Sequence, residues 1–407
     1  MLQLALASDS IGALNRAIVA SFRAYPTLPP ALLSFQLLVL TALASLQLLV
    51  PEMLSRLSNF RSSLRPLSAL SCARTFATSR VVMGQYGLET YLVSPSALTQ
   101  ALKRNVSSKL STAPKIVPLC ASWFLPNDGR VGKDTYLAER IPRAQFFDLD
   151  AVKDAHSPYP HMLPSAEDFA VAMRKLGIRR HDSVIVYDSK ELGIFSAPRV
   201  GWTLQAFGHP NVHVLNNFRK WVEEGYPTES GNPAAVDEVD YPVPQLDKTK
   251  VVAFEEVREI AKEQGLEGAE EVQILDARSL GRWKGTDPEP REGKSLLSSP
   301  HQSPLTNPGL SSGHIPHSIS VPITDLLDAS TKTLLPAAEL KQVFASKNID
   351  ASKPIIASCG TGVTAAVIDA ALTEAGFPIE QRRLYDGSWT EWAQRVKPGE
   401  SLIRKVE

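Results

Sequence analysis

The strongest chemical signal in the sequence is a cysteine between a β-branched apolar run and a helix-forming run. The segment Ile355–Leu372 reads IIASCGTGVTAAVIDAAL, so Cys359 is followed by Gly-Thr-Gly-Val-Thr and then by an alanine-rich stretch. The glycines allow a tight turn, and a tight loop at a helix N-terminus directs several N–H groups at one point. That position favours the thiolate, the nucleophilic form of cysteine. A buried cysteine beside an ordinary glycine-containing turn fits the spacing equally well.

Composition sets limits on the class of protein. The 407 residues are enough for two or three domains, and basic and acidic residues are equal at 43 each. This balance argues against a nucleic-acid-binding protein. The three cysteines, Cys72, Cys120 and Cys359, are too few for a disulfide framework and lack the spacing of a zinc site. We therefore expect a reducing compartment, no metal and no cofactor.

Short β-branched runs alternate with helical segments after about residue 110. This alternation predicts an α/β fold in which a parallel sheet is flanked by helices. The clearest predicted strands are Val184–Tyr187, Val212–Leu215, Gln273–Leu275 and Ile355–Ala357.

The two halves of this region resemble each other at a constant offset. Asp188 aligns with Cys359 and Trp221 aligns with Trp392, and each pair is 171 positions apart. A constant offset predicts a duplicated domain. Asp188 also means that the first half has no thiol at the equivalent position. The predicted organisation is a leader at 83–110, a first, non-catalytic domain at 111–229, a linker at 230–249 and a second, catalytic domain at 250–400, which an irregular stretch at 292–312 interrupts.

The first eighty residues have a different character. Residues 53–82 contain five arginines and no acidic residue, which is typical of a mitochondrial transit peptide. A disordered tail is the alternative. Because such a peptide acts at an N-terminus, we interpret residues 1–52 as an upstream extension. The apolar run at 31–50 contains polar interruptions, so we do not expect a membrane anchor. We predict the mitochondrial matrix, with a cytoplasmic form if Met83 is a second start.

The loop CGTGVT at 359–364 resembles the active-site loop of the rhodanese superfamily of sulfurtransferases. Members of the mercaptopyruvate type usually read CGSGVT, whereas members of the thiosulfate type usually read CRKGVT, with two cations that are absent here. The similarity covers about residues 115–400 and implies two tandem rhodanese-like domains. It continues through the segments ASWFLP, SPYPHMLPSAEDF, SAPRVGWTLQAFGH, LDARSLGRWKGTDPEPR, GHIP and YDGSWTEW.

The resemblance implies a role in catalysis for Cys359, Thr361 and Asp150, and places His161 among the substrate-binding residues. Cys359 would take sulfur from 3-mercaptopyruvate, release pyruvate and pass the sulfur from its persulfide to a thiol or to cyanide. Thr361, where the family usually has serine, and Asp150 would form a polar relay for a proton. His161 matches a histidine on the first-domain side of the cleft, where a structural hydrogen bond is at least as good an interpretation as chemistry.

The resemblance also implies the substrate contacts. Arg282 and Arg291 match the two arginines that bind the oxo acid, and a guanidinium suits a carboxylate beside a carbonyl. Four further loop residues would hold the sulfur through backbone N–H groups: Gly360, Gly362, Val363 and Thr364. The partners implied are 3-mercaptopyruvate or thiosulfate and a thiol acceptor, such as thioredoxin or a relay protein of tRNA thiolation. We expect a monomer.

Three alternatives remain beside this interpretation. A thiosulfate:cyanide sulfurtransferase would share the same fold and cysteine. A rhodanese-like phosphatase needs an arginine six residues after the cysteine, where this chain has Ala365. A non-catalytic sulfur-relay binding protein would fit the half that carries Asp188. The chain also departs from the family at Cys120, where relatives commonly have aspartate, and at 292–312, a loop longer than usual.

Overall fold

The computed structural model describes residues 88–105, 111–290, 310–397 and 399–406. The predicted extension at 1–52, with its apolar run at 31–50, and the predicted transit peptide at 53–82 lie outside the described residues. Arg291 and residues 292–309 of the irregular stretch also lie outside them. Among the helices of the described ranges, none is long and apolar enough to cross a membrane.

The first half alternates strands and helices along the chain. Its elements are β1 (Leu92–Val93), α1 (Pro95–Leu102), β2 (Ile116–Cys120), α2 (Gly132–Ala138), β3 (Gln145–Phe146), α3 (Ala166–Lys175), β4 (Ser183–Tyr187), α4 (Ala197–Ala206), β5 (Val212–Leu215) and α5 (Phe218–Glu223).

The second half repeats this alternation. Its elements are β6 (Val251–Val252), α6 (Phe254–Glu263), β7 (Gln273–Asp276), α7 (Leu280–Lys284), β8 (Ile319–Ser320), α8 (Ala337–Ser346), β9 (Ile355–Ser358), α9 (Ala365–Glu374), β10 (Arg382–Tyr385) and α10 (Ser388–Arg395). Short 3-10 turns lie at Lys248–Lys250, Ile323–Asp325 and Ile379–Gln381.

Each half forms one five-stranded parallel sheet. The strand orders are β1-β5-β4-β2-β3 and β6-β10-β9-β7-β8, which are the same order with every strand number raised by five. All the strand pairs are parallel. The predicted α/β fold, in which parallel sheets are flanked by helices, is therefore confirmed. Asp188 and Cys359 follow the central strands β4 and β9 directly, so they occupy equivalent places in the two sheets.

The first sheet includes a strand from the segment that the sequence predicts as a leader. β1 pairs with β5, joining Leu92 to Val214 and Val93 to Leu215. The helix α1 follows it and buries Leu98 and Ala101. Residues 92–102 therefore contribute to the first half of the fold, ahead of the predicted boundary at residue 111.

One of the buried apolar clusters spans both halves, and each half also has a cluster of its own. Every residue of β4 and β9 is buried, as expected for central strands of parallel sheets covered on both faces. Helices α4 and α9, which follow the two equivalent loops, pack against each other. Val200 and Leu204 of α4 lie in the same buried cluster as Ile368 and Ala371 of α9. The packing brings the loop after β9 against the first half of the chain.

Candidate active site

The loop after β9 is held by hydrogen bonds to the first residues of α10. Cys359 is 2% exposed, and its N–H donates to the hydroxyl of Ser388 at 3.1 Å. The N–H groups of Trp389 and Thr390 donate to the carbonyls of Cys359 and Gly360, both at 2.9 Å. The first two peptide units of the loop are thereby fixed, and Cys359 stands between the end of a strand and the N-terminus of α9.

The loop N–H groups predicted to hold sulfur lie between Cys359 and the start of α9. None of the N–H groups of Gly360 to Thr364 donates to another residue in the described part of the chain. They precede α9, whose N-terminus favours negative charge. The loop therefore offers a place for an anion beside Cys359.

Gly362 is needed for the shape of this loop. Its φ is +76°, and a Cβ at this position would lie 2.6 Å from the carbonyl oxygen of Asp386 and 2.8 Å from Nη1 of Arg199. A side chain here would face both backbone strain and a collision with main-chain atoms. The glycine therefore lets the loop approach Asp386 and the first half of the chain.

Gly362→Ala should lower the free energy of unfolding by about 2–4 kcal/mol and impair the loop, because the strain adds to the collision. Gly376→Ala is the matched control: its φ is +77°, but nothing lies within 4 Å of its added Cβ. That variant should lose only about 1 kcal/mol. Urea unfolding measures both effects. Equal losses in the two variants would contradict the importance of the close approach.

A hydroxyl, an imidazole and a carboxylate form a hydrogen-bonded chain that ends in the loop. Thr361 Oγ1 lies 3.0 Å from Nδ1 of His161, and Nε2 of His161 lies 3.0 Å from Oδ1 of Asp150. A carboxylate only accepts, so Nε2 carries a hydrogen, and Nδ1 accepts from the Thr361 hydroxyl whenever Nδ1 itself carries none. The order Thr361–His161–Asp150 is that of a nucleophile-activating or proton-delivering relay.

The surroundings of the relay fix its orientation. The His161 side chain is 3% exposed, whereas that of Asp150 is 60% exposed. The indole N–H of Trp123 donates to the second oxygen of Asp150 at 3.0 Å, and its ring meets His161 edge-on at 4.6 Å. Partial burial acts to raise the pKa of Asp150, but the hydrogen bonds from His161 and Trp123 and the nearby charges of His161 and Lys153 together outweigh it, so the pKa lies below its usual value. Asp150 is therefore ionised at neutral pH.

Arg282, which the resemblance matches to a substrate arginine, lies beside the loop. Its Nη2 atom would be 3.0 Å from a Cβ at Gly360. The guanidinium pairs with Glu289, with Nε 3.1 Å from Oε2, and Glu289 also accepts from the buried Arg278 at 2.7 Å. Arg278 in turn holds Asp276 and stacks over a tryptophan ring. Arg282 is thus anchored to the sheet through Glu289, and its predicted companion Arg291 lies outside the described residues.

The equivalent loop of the first half is closed by its own carboxylate. Asp188 accepts from the N–H groups of Phe195, Ser196 and Ala197 at 2.8–3.0 Å and from the Ser196 hydroxyl at 2.5 Å. Burial raises the pKa of Asp188 to about 6, and these donors oppose the increase. The N–H groups at this helix start are therefore occupied from within the chain.

Several residues at the site are not assigned a role by sequence reasoning. Arg199, Asp386, Ser388 and Glu289 all lie inside motifs that carry the family resemblance, and this is the only signal that could have drawn attention to them. Their partners lie in distant parts of the chain. Arg199, for example, contacts Asp386, 187 positions away. No local pattern in the sequence predicts such a contact.

Two parallel sheets of identical order, with a cysteine loop after the central strand of the second, define a tandem rhodanese fold. The family model of the rhodanese-like domain matches residues 259–395. The probable 3-mercaptopyruvate sulfurtransferase of Schizosaccharomyces pombe is 40% identical over 316 residues, covering 77% of this chain and 96% of that protein. Thiosulfate sulfurtransferase TUM1 of Saccharomyces cerevisiae is 39% identical over 321 residues, covering 75% of this chain and 96% of that protein.

A solved structure extends the comparison. The yeast mitochondrial complex I sub-stoichiometric sulfur transferase subunit is 38% identical, with a TM-score of 0.64 over 78% of this chain and all of that chain. The chain therefore belongs to the thiosulfate/3-mercaptopyruvate sulfurtransferase family of rhodanese proteins. It is a sulfurtransferase.

Proposed function

We propose that this sulfurtransferase uses 3-mercaptopyruvate as its sulfur donor, carries the sulfur as a persulfide on Cys359 and releases pyruvate. The observation that carries the choice of donor is the hydrogen-bonded chain Thr361–His161–Asp150 beside the cysteine loop. Loss of sulfur from mercaptopyruvate leaves an enolate, which must take up a proton. Sulfite leaving from thiosulfate needs none. A proton relay at the loop therefore favours the oxo acid.

The reaction has two steps that balance. The Cys359 thiolate attacks the thiol sulfur of the donor, an S–S bond forms, and the C–S electron pair goes to the methylene carbon of the enolate. A net proton transfer from the donor sulfur to that carbon, which Thr361 and His161 mediate, gives pyruvate and a persulfide anion. An acceptor thiolate or cyanide then attacks the outer sulfur and restores the Cys359 thiolate.

The loop and the arginines supply the electrostatics. The N–H groups of Gly360 to Thr364 would stabilise the persulfide anion at the N-terminus of α9, as they would any anion there. Arg282 reaches the loop from α7 and would bind the carboxylate and carbonyl of the donor. We propose the same contact for Arg291. Asp150 keeps His161 in the tautomer that exchanges a proton with Thr361.

Replacing Arg282 with lysine should raise KM for 3-mercaptopyruvate by about tenfold and change kcat less, because a lysine keeps the charge but loses the planar fork that binds a carboxylate. Steady-state pyruvate release measures both constants. Arg258→Lys is the control, since Arg258 is a surface residue of the same half that pairs with Glu400 and Glu259. An unchanged KM in Arg282→Lys would remove this arginine from the donor site.

The donor proposal is tested by comparing kcat/KM for two pairs of substrates. One pair is 3-mercaptopyruvate with a thiol acceptor, and the other is thiosulfate with cyanide. We expect the first value to exceed the second by at least about tenfold, a difference that polar recognition readily supplies. The reverse order would favour the alternative, a thiosulfate:cyanide sulfurtransferase, which the name of the TUM1 relative also suggests.

We also propose that the sulfur acceptor is a thiol such as thioredoxin, or a relay protein of tRNA thiolation.

We further propose a mitochondrial location, with residues 53–82 as the transit peptide. The arginine-rich, acid-free composition of that segment supports the location. The similarity to the sulfur transferase subunit of yeast mitochondrial complex I supports it as well. Fluorescent fusions that begin at Met1, Met53 or Met83 test this. Mitochondrial signal from the Met53 fusion and cytoplasmic signal from the Met83 fusion is the expected result, and mitochondrial signal from the Met83 fusion would contradict the assignment of 53–82.

A further inference from the structure

Arg199 is a buried arginine for which the proposed chemistry has no use. It lies in the first turn of α4, its side chain is 1% exposed, and its guanidinium stands 4.9 Å from the ring centre of Trp202. A guanidinium removed from water is costly unless strong partners surround it. Its partners therefore show what the residue holds in place.

These partners lie on both sides of the junction between the two halves. Nη2 donates to the carbonyl of His161 at 2.6 Å and to the carboxylate of Asp386 at 2.5 Å. Nη1 reaches the carbonyl of Gly362 at 3.4 Å. One planar group thus joins the backbone of His161 to the backbone next to Thr361, and these are the two residues whose side chains meet in the relay.

The relay requires contacts that hold the backbone of His161 in an unusual conformation. His161 has a φ of 62°, in the left-handed region that a residue with a side chain rarely adopts. Its ring must still meet the Thr361 hydroxyl from a position 200 residues away in sequence. Surrounding contacts have to hold this conformation, and the bond from Arg199 to the His161 carbonyl is one of them.

The other partner of Arg199 leads to the cysteine. Asp386 accepts from the N–H of Leu163 with its second oxygen at 2.8 Å, so it too bridges the two halves. It stands two residues before Ser388, whose hydroxyl holds the N–H of Cys359. The pair Arg199–Asp386 therefore links the segment that carries His161 to the segment that supports the cysteine loop.

We propose that Arg199 is a positioning residue for proton delivery: it sets the distance between the Thr361 hydroxyl and His161 by holding the main chain on both sides of that hydrogen bond. This inference rests on the proposed function, in which the two residues carry the proton to the enolate. The hydrogen bonds of Arg199 go to the carbonyls of His161 and Gly362 and to Asp386. Its effect should appear only in the step that needs the proton.

The two half-reactions separate that effect from general damage. Loading of Cys359 from 3-mercaptopyruvate moves one proton to carbon and is measured as a burst of pyruvate. Discharge to cyanide moves sulfur from the persulfide anion to give thiocyanate and the cysteine thiolate, with no proton transferred. For discharge, Cys359 is loaded with inorganic polysulfide, which donates sulfur to the thiolate and leaves a polysulfide shorter by one atom.

Arg199→Lys keeps the charge but loses the fork that reaches several carbonyls. We expect loading from mercaptopyruvate to slow by about 10- to 100-fold, part of the effect of a general acid, with discharge to cyanide within about threefold of wild type. Arg382→Lys is the matched control: Arg382 is also buried, with bonds to Pro378 O and Asp369 O. It begins β10, at the end of the strand away from the loop, so the ratio of the two rates should not change.

A double-mutant comparison tests the route of the effect. In a Thr361→Val background the relay is already cut, so Arg199→Lys should cost little more. Asp386→Asn approaches the same tie from the other side and should show the same selective loss, which covers the case in which Arg199→Lys does not fold. Equal slowing of loading and discharge, or effects of Arg199→Lys and Thr361→Val that multiply, would overturn the proposal. If Thr361→Val itself leaves loading unchanged, the relay of the proposed function fails first.

Discussion

Replacing Cys359 with serine should lower sulfur transfer from either donor by at least about 10⁴-fold, because the alkoxide of serine is inaccessible at neutral pH and no persulfide can form on oxygen. The fold should persist, since the substitution changes one atom in a buried position and leaves the bond from the Cys359 N–H to Ser388 intact. Pyruvate release and thiocyanate formation measure the loss, and circular dichroism with thermal unfolding verifies the fold.

Cys120 provides the matched control for this substitution. It is also buried, and its sulfur lies 3.2 Å from the hydroxyl of Ser122, but it belongs to β2 of the first half. Burial raises its pKa to about 12, so Cys120 stays a thiol and cannot compete as a nucleophile. Cys120→Ser should retain turnover within about twofold. Retained turnover in Cys359→Ser together with loss in Cys120→Ser would move the sulfur carrier to the first half.

Removing the imidazole of the relay should have the second largest effect. His161→Gln is expected to slow pyruvate formation by about 10²- to 10³-fold, because the proton would no longer reach the enolate through Thr361. Discharge of a preloaded persulfide to cyanide should change far less. Single-turnover measurements of the two half-reactions distinguish these rates, and equal losses in both would assign His161 to structure alone.

Thr361 offers the control within the same relay. Thr361→Ser keeps the hydroxyl that donates a hydrogen bond to His161 and should retain most of the activity. Thr361→Val keeps the shape of the side chain without the hydroxyl and should reproduce the loss expected for His161→Gln. If the valine variant works as well as the serine variant, the hydroxyl carries no proton.

The state of Asp150 sets the pH range over which this relay can work. Its pKa in the folded protein lies below the usual value because burial, which raises it, is outweighed by the combined effect of His161, Lys153 and Trp123. The unfolded chain therefore binds this proton more readily than the folded chain, and the stabilising contribution is present at neutral pH and lost as the pH falls through the lowered pKa. On the acid side of the pH profile, the activity should therefore fall at a pH below the usual carboxyl pKa.

The sequence predicts the fold correctly and singles out the cysteine loop as the candidate site, for identifiable reasons. Central strands such as Val184–Tyr187 are apolar throughout because both faces of the sheet are covered, and this pattern can be recognised from the sequence alone. The constant offset between Asp188 and Cys359 predicts a duplicated domain, and the two sheets have the same strand order. The glycine loop after Cys359 is legible because a tight turn before a helix has few solutions.

The remaining parts of the site depend on contacts between distant segments. The sequence leaves His161 as an ambiguous histidine, and only its two hydrogen bonds place it between Thr361 and Asp150. Arg199 and Asp386 could not be paired in advance, since nothing local indicates which of the carboxylates a buried arginine will meet. Glu289 is similar: the sequence shows an acid near Arg282, but the shared contact with Arg278 requires the packed structure.

The most direct test of the account is to identify the atom that carries sulfur. The protein is incubated with 3-mercaptopyruvate in the absence of an acceptor, digested and examined by mass spectrometry. The account predicts a mass increase of one sulfur atom on the peptide that contains Cys359, an equal amount of pyruvate, and loss of the added mass to thiocyanate when cyanide is supplied. Release of pyruvate without sulfur on Cys359, or sulfur retained on Cys120 instead, would contradict it.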